Sequence, residues 1–234
     1  MMAHPATLPP EVRDTLIARR GRVHLFDRLD PARTALVVID MQDLFTDPGS
    51  DRCIPRARGI VPAINRAATS LRARGGTVAW VQTRLSGGAN DWRLYFEALA
   101  PSDAGNDVRR ALTPGAPGYA LDAGLQTLPG DLFAEKTRFS AFFPGASPLP
   151  GMLRDRGIDT VIFAGTLTNV CCETSARDAA MDDFRVILLT DGNATRTDAE
   201  HTAALVTIAL SFGDAQSIDE VFAHLDAGAA RPPP

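Results

Sequence analysis

The chain has 234 residues, of which 45% are hydrophobic and 22% are charged, and its formal net charge is −4. This composition is typical of a soluble globular protein, and the length suits one domain whose core needs neither disulfides nor a structural metal. The negative net charge disfavours a broad nucleic-acid-binding surface. The N-terminal residues lack the apolar stretch of a signal peptide, and no segment has the length and apolarity of a membrane span. We therefore predict a cytoplasmic protein with no membrane association.

The cysteines and histidines form neither a disulfide framework nor a zinc-binding pattern. Three cysteines are present, an odd number, and two of them are adjacent: Cys53, Cys171 and Cys172. The four histidines are scattered along the chain, and neither a C-x-x-C nor an H-E-x-x-H element occurs. We therefore predict no metal site and no cofactor.

Lysine is almost absent from the chain. Of the 24 Lys and Arg residues, 23 are arginines and the remaining one is Lys136. A surface cation tolerates exchange between lysine and arginine, whereas a site that needs a compact ammonium does not. Lys136 is therefore a candidate functional residue, with an accidental surface position as the alternative.

Residues 1–30 are predicted to form an N-terminal arm with a short helix at 11–20. After this arm, the hydrophobic pattern alternates between that of strands and that of helices. Runs of apolar and β-branched residues predict strands at 34–40, 77–83, 160–166, 185–191 and 215–217, and a short strand within 131–139 that ends near Lys136. Apolar residues at spacings of three and four, with glycine and proline at the boundaries, predict helices at 54–74, 149–156, 171–183, 197–212 and from 218 onward.

This alternation predicts a single α/β domain over residues 31–227, with a parallel sheet and helices on both of its faces. Residues 85–130 interrupt the pattern and are rich in Gly, Pro, Ala and Asp. We expect them to form loops and one helix that supply substrate contacts. Residues 228–234, which end in ARPPP, are predicted to be a disordered tail.

Three chemically distinct side chains follow predicted strands. Asp40 ends the first strand, Lys136 lies by the third, and Cys171 comes just after the fourth. In parallel α/β sheets, catalytic groups gather at the carboxyl ends of the strands. A cysteine nucleophile needs a thiolate, which a helix N-terminus and a nearby ammonium both favour. We therefore predict a lowered pKa for Cys171, with Asp40 as the base that accepts its proton. We also expect iodoacetamide to label Cys171 before Cys53 and Cys172.

Three segments around these residues resemble the isochorismatase-like cysteine hydrolase family. They are TALVVIDMQDLF at 34–45, KTRFSAFF at 136–143 and GTLTNVCCETSARDA at 165–179. The third is the most specific, because it matches the family pattern of a glycine, a threonine and Val-Cys before an Ala-Arg-Asp-Ala helix. The likeness covers about residues 33–225, most of the chain.

The resemblance implies a fold and a catalytic arrangement. The fold is a three-layer α/β/α sandwich with a six-stranded, mostly parallel sheet. The catalytic triad falls on Asp40, Lys136 and Cys171. A non-proline cis peptide is expected at Thr166–Leu167, and the backbone N–H groups of Leu167 and Cys171 are expected to form the oxyanion hole.

The implied activity is that of a cysteine-dependent amidohydrolase. Such an enzyme cleaves a small amide or ureido C–N bond through a thioester and releases ammonia or an amine. Two alternatives stay open, vinyl-ether hydrolysis of the isochorismatase type and hydrolysis of a cyclic amide (lactam); Cys171 argues against the first. The segment QTRLSGGANDW at 82–92 lacks the histidine of the metal-binding element that nicotinamidases of this family carry. A catalytically idle binding module is disfavoured by the intact triad.

Candidate substrate contacts are Phe45, Trp92, Tyr95 and Asn169, although Asn169 could instead hold its turn. Gln42 and Asp43 are expected to brace Asp40 or the neighbouring loop, and Cys172 is expected to be a packing residue. The predicted partner is a small-molecule amide substrate. The resemblance also implies a homodimer or homotetramer.

Overall fold

Six parallel strands form the centre of the protein. In this computed structural model, residues 3–86, 92–100 and 103–229 are described. The strands are β1 (Thr34–Ile39), β2 (Thr77–Thr83), β3 (Leu132–Lys136), β4 (Thr160–Thr166), β5 (Arg185–Ala194) and β6 (Asp214–Gln216). They pair in the order β3-β2-β1-β4-β5-β6, and every pair is parallel. The order reverses direction between β1 and β4, the kind of switch point at which α/β proteins build their sites.

Helices cover both faces of this sheet. They are α1 (Pro10–Arg20), α2 (Asp43–Thr46), α3 (Val61–Ala73), α4 (Asp103–Ala111), α5 (Leu149–Arg154), α6 (Glu173–Met181), α7 (Asp198–Ser211) and α8 (Ile218–Ala229). None of the helices in the described part of the chain is long and apolar enough to cross a membrane.

Two hydrophobic cores lie on opposite faces of the sheet. Alternate residues of β1 divide between them: Val37 and Ile39 pack in one core, and Leu36 and Val38 in the other. The first core is closed by α1, α5, α6 and α7, and the second by α3 and α8. A strand that is buried on both faces explains the continuous apolar run of the sequence. The structure therefore confirms the predicted three-layer α/β/α fold.

The N-terminal arm is folded onto the domain. Leu8 and Leu16 are buried in the first core, and Arg20 forms an ion pair with Asp214 at 2.8 Å. At the other end, α8 runs to Ala229, two residues beyond the predicted domain boundary. Residues 230–234, the rest of the predicted tail, lie outside the described residues.

Several predicted boundaries differ from those observed. The helix predicted at 54–74, whose regular part was expected to start near Pro62, begins at Val61 after a short 3₁₀ turn. The helix predicted from residue 171 begins at Glu173, after a π-helical turn at Thr168–Cys172. The fifth strand continues to Ala194 through an irregularity in its pairing with β4. Within the described part of 85–130, α4 is accompanied by a π-helical turn at Tyr95–Leu99.

Candidate active site

The three predicted triad residues meet at the carboxyl edge of the sheet. Asp40 directly follows β1, Lys136 is the last residue of β3, and Cys171 lies in the π-helical turn after β4. In the sheet, β2 lies between β1 and β3, so its last residue, Thr83, stands between Asp40 and Lys136. The strand order thus places residues that are about 130 positions apart in sequence within one small volume.

Lys136 and Asp40 form a buried ion pair. Nζ of Lys136 lies 2.8 Å from Oδ2 of Asp40, and both side chains are almost fully enclosed, at 0% and 1% exposure. The ammonium also donates to Oγ1 of Thr83 at 2.6 Å and to the carbonyl of Arg138 at 3.1 Å. Two hydrogen bonds and the opposite charge of Asp40 therefore hold the ammonium, which meets the requirement for keeping a charge out of water.

Asp40 is oriented by its backbone and by β2. Its φ of +50° lies in the left-handed region, which aspartate tolerates better than most residues. Its Oδ1 accepts hydrogen bonds from the backbone N–H and the hydroxyl of Thr83, both at 2.9 Å. Gln42 supports the same strand end, because its Oε1 accepts from Thr83 N–H and its Nε2 donates to the carbonyls of Thr83 and Tyr119. The side chain of Gln42 therefore braces this loop, while the backbone N–H of Asp43 donates to the carbonyl of Ala120.

Burial sets the protonation state of the thiol. It raises the pKa of Cys171 well above its usual range; the positive charge of Lys136 acts in the opposite direction, and Asp40 adds to the rise. Burial alone would lower the pKa of Lys136, but the charges of Asp40 and Cys171 raise it. The charges of Lys136 and Asp40 oppose each other at the sulfur, and desolvation is the largest influence on the pKa of the thiol. The predicted lowering of the pKa of Cys171 is wrong for this resting state, in which the thiol is neutral.

The turn that carries Cys171 is closely packed against β1. Gly165 has a φ of +118°, and a Cβ there would lie 2.1 Å from the carbonyl oxygen of Ile39, so only glycine fits. The peptide between Thr166 and Leu167 is cis, at the predicted position. Cys172 is fully buried, with Sγ 3.9 Å from the carbonyl of Ala164, as expected of a packing residue.

A cavity of about 230 Å³ opens beside the triad. Its wall includes Asp40, Thr166, Leu167, Val170 and Cys171. The two residues whose backbone N–H groups we predicted as oxyanion donors, Leu167 and Cys171, are thus both in contact with this space. Among the described residues, no group of three or more His, Cys, Asp or Glu side chains is arranged so that it could hold a metal ion.

Aromatic side chains form the wall opposite the thiol. Phe45, Trp92 and Tyr95 line the cavity, together with Phe139. Trp92 and Tyr95 stack with ring centroids 5.1 Å apart, and Phe139 packs edge-on against Trp92 at 4.6 Å. Asn169 does not line the cavity. Its Oδ1 instead accepts a hydrogen bond from the hydroxyl of Thr195 at 2.6 Å, so it holds its turn.

Three arginines in the cavity wall were missed by the sequence analysis. They are Arg52, Arg138 and Arg196. Arg138 lies over the ring of Trp92, with 5.7 Å between the guanidinium carbon and the ring centroid. In a chain with 23 arginines, no single arginine stands out by composition. Arg138 could have been predicted to lie near the site, because it comes two residues after Lys136 in the sequence.

The buried thiol leads to a prediction for alkylation. In a variant that retains Cys171 alone (Cys53→Ser, Cys172→Ala), we expect the rate of reaction with iodoacetamide to keep rising with pH up to at least about pH 9, because the thiolate is the reactive form. Mass spectrometry of the labelled peptide over a pH series, beside a free thiol of ordinary pKa, measures this. A rate that is already constant between about pH 6 and 8 would show a lowered pKa instead.

The chain is similar to known proteins of one family. A family model described as the isochorismatase domain matches residues 34–220. RutB, a ureidoacrylate amidohydrolase of Methylobacterium radiotolerans, is 34% identical over 236 aligned positions, which cover 90% of this chain and 88% of the relative.

Solved structures show the same likeness. A cysteine hydrolase from Pseudomonas syringae pv. phaseolicola has a TM-score of 0.78 at 28% identity, covering 86% of this chain and 95% of that one. An isochorismatase family protein from Desulfovibrio vulgaris has a TM-score of 0.73 at 30% identity, covering 85% and 99%. The chain therefore belongs to the isochorismatase-like cysteine hydrolase family.

Proposed function

We propose that this protein is a cysteine-dependent amidohydrolase that cleaves the C–N bond of a small ureido acid or a related linear amide. The observation that carries the proposal is the buried Asp40–Lys136 pair beside Cys171 in the wall of an otherwise mostly apolar cavity. A thiol, a carboxylate and an ammonium in one enclosed space are the groups that acyl transfer through a thioester requires.

In the proposed reaction, Asp40 removes the proton from Cys171 as the sulfur attacks the substrate carbonyl. Because the resting thiol is neutral, this transfer belongs to the attack step and is not complete beforehand. The backbone N–H groups of Leu167 and Cys171 hold the oxyanion, a type of contact whose loss costs roughly 10²–10³ in rate.

The intermediate then collapses. Asp40 returns the proton to the leaving nitrogen, and ammonia or an amine departs from a thioester on Cys171. Water attacks the thioester carbonyl and gives its proton to Asp40, the C–S bond breaks, and the acyl part leaves as a carboxylic or carbamic acid. Asp40 passes this proton to the departing sulfur, which restores the carboxylate and the neutral thiol. Lys136 stays protonated throughout, in keeping with its raised pKa, and stabilises the negative charge that passes between Asp40 and the sulfur.

The arginines favour an anionic substrate. Apart from the triad, the charged residues of the cavity wall are Arg52, Arg138 and Arg196, and none of the other described residues of that wall is an Asp or Glu. Guanidinium groups suit a carboxylate, which they can bind through paired hydrogen bonds. The relative from Methylobacterium radiotolerans is named for ureidoacrylate, a compound with both a ureido group and a carboxylate. This agreement supports a ureido acid over a neutral amide.

An assay of ammonia release tests the proposal. We expect release from short ureido acids, with kcat/KM about 10-fold or more above that for the corresponding uncharged esters, and a linear amide to be preferred over a lactam. Arg196→Gln should remove most of the preference for the charged substrate, whereas Arg196→Lys should retain part of it. Arg156→Gln, at an exposed position beyond α5, serves as a control.

Absence of ammonia release from every ureido acid and amide in the panel would contradict the proposed activity. A preference for the uncharged esters would contradict the role of the arginines alone. Cleavage of a vinyl ether or a lactam in place of linear amides would point to one of the alternative reactions.

A further inference from the structure

Two histidines stack behind the wall of the cavity. The rings of His4 and His201 are nearly parallel, 6° apart, with 4.4 Å between their centroids. His4 belongs to the N-terminal arm and is buried, and His201 lies fully buried in the first turn of α7. That turn is fixed by a capping box between Thr197 and Glu200, so the position of His201 follows from the local sequence.

His201 holds the first residue of the turn that carries Cys171. Its Nε2 lies 3.1 Å from the carbonyl oxygen of Thr190, which can only accept, so Nε2 carries the proton. Nδ1 then accepts from the hydroxyl of Thr168 at 3.0 Å. Burial and the charge of His4 lower the pKa of His201 to about 4, so the ring is neutral at physiological pH and the acceptor is preserved.

His4 holds the neighbouring turn. Its Nε2 lies 3.1 Å from both the backbone N and the carbonyl oxygen of Thr195, the residue before Arg196. The hydroxyl of Thr195 donates to Asn169, which is two residues before Cys171. On the outer side, Nδ1 of His4 contacts Asp198, at 2.7 Å, and Arg56.

The two histidines therefore connect both turns that build the cavity. One turn, Thr168–Cys172, carries the thiol, and the other carries Arg196 into the cavity wall. Thr168 is joined to His201 by a buried hydrogen bond, and Thr195 to Asn169 by a partly buried one. A displacement of about 1 Å of a reacting group costs about 100-fold in rate, so such support has a measurable effect.

We propose that His201 and His4 are positioning residues. Through them, the N-terminal arm fixes the turn Thr168–Cys172, here called the nucleophile turn, and the turn that carries Arg196, here called the arginine turn. The inference rests on the proposed amidohydrolase function. His201 acts on the chemical step through Thr168, and His4 acts on substrate binding through Thr195 and Arg196.

The link to the nucleophile turn is tested at Thr168, where an isosteric change is available. We expect Thr168→Val to lower kcat about 10- to 100-fold with little change in KM, and Thr168→Ser, which keeps the hydroxyl, to restore most of the loss.

His201→Leu should lower kcat to a similar extent, and His201→Gln, whose amide offers one donor and one acceptor, should have a smaller effect on kcat. The combined Thr168→Val, His201→Leu variant should be hardly worse than either single variant, because both remove the same contact.

The link to the arginine turn is tested at His4. His4→Ala should raise KM for the anionic ureido acid about 10-fold and leave the KM of an uncharged amide nearly unchanged. His24→Ala is the matched control, since it removes another histidine of the same arm whose partner is Glu220 of α8. All values are compared at a temperature at which thermal denaturation shows each variant to be folded.

A second readout does not depend on amide turnover. The rate of alkylation of Cys171 should change in Thr168→Val and His201→Leu and not in His24→Ala. If the wild type is active and the variants have the same kcat, KM and alkylation rate as the wild type, the proposal is wrong. Additive effects in the combined variant would also contradict it. A wild type without amidase activity would instead refute the proposed function, while the alkylation rates would still decide the positioning role.

Discussion

Replacing Cys171 by alanine is expected to lower ammonia release by at least about 10⁴-fold, to the level of the uncatalysed background. The change removes the atom on which the thioester forms, and the remaining ion pair has no nucleophile to activate. The variant should still fold and bind substrate, because the cavity wall loses one sulfur and the Asp40–Lys136 pair is untouched. Ammonia release and substrate binding by calorimetry measure the two properties separately.

Cys172 provides the control for this experiment. It is adjacent in sequence and as deeply buried, yet its sulfur faces the carbonyl of Ala164 and is absent from the cavity wall. Cys172→Ala should therefore keep the activity within a few-fold and lose stability of the order of 1 kcal/mol for the deleted sulfur. Equal ammonia release from wild type and Cys171→Ala would show that the nucleophile is wrongly assigned. In the active enzyme, rapid quenching followed by mass spectrometry should detect an acyl group on Cys171.

The second large effect is expected for Lys136→Arg, which keeps the charge but should lower kcat roughly 10²- to 10⁴-fold. The ammonium is fully enclosed, donates hydrogen bonds to Thr83 and Arg138 at 2.6 and 3.1 Å, and forms an ion pair with Asp40 at 2.8 Å. A planar guanidinium is larger and its five N–H groups point in other directions, so Asp40 would be displaced from the thiol. Overpacking of this kind also costs about 1–3 kcal/mol of stability.

An exchange of arginine for lysine at the surface is the control, because it also keeps the charge but lies outside the cavity. Arg154→Lys alters a half-exposed ion pair with Asp182, and both activity and melting temperature should stay close to those of the wild type. Steady-state kinetics and thermal denaturation of the two variants provide the comparison. Wild-type kcat in Lys136→Arg would contradict the need for a compact ammonium at this position.

Much of the fold could be predicted from the sequence because the sheet is buried on both faces. Such strands appear as continuous apolar runs, and all six were located to within a few residues of their observed bounds. The meeting of the three candidate residues could be predicted for a related reason, since Asp40, Lys136 and Cys171 each fall at or soon after the end of a strand. Parallel strands bring such residues to one edge whatever their separation in sequence.

Other features of the site depend on tertiary packing and leave no local signal. The raised pKa of Cys171 reflects how completely the thiol is enclosed, whereas its place near a helix start pointed to a lowered one. Asn169 lies two residues before the nucleophile but turns towards Thr195. Contact between His4 and His201 joins residues that are almost 200 positions apart, and neither is part of a recognisable motif. Arg196 lines the cavity two residues after Ala194, the observed end of β5, which lies beyond the predicted end of that strand.

The burial of Lys136 has a consequence for the chemistry of the outer surface. Since the chain has no other lysine and this one has no exposed area, the folded protein presents no lysine amine to solvent. Amine-reactive dyes and cross-linkers should therefore find no lysine side chain on the native fold, and enzymes that acetylate or ubiquitinate lysine should find no acceptor there. Modification of Lys136 by such a reagent would therefore show that the fold around its ion pair with Asp40 has opened.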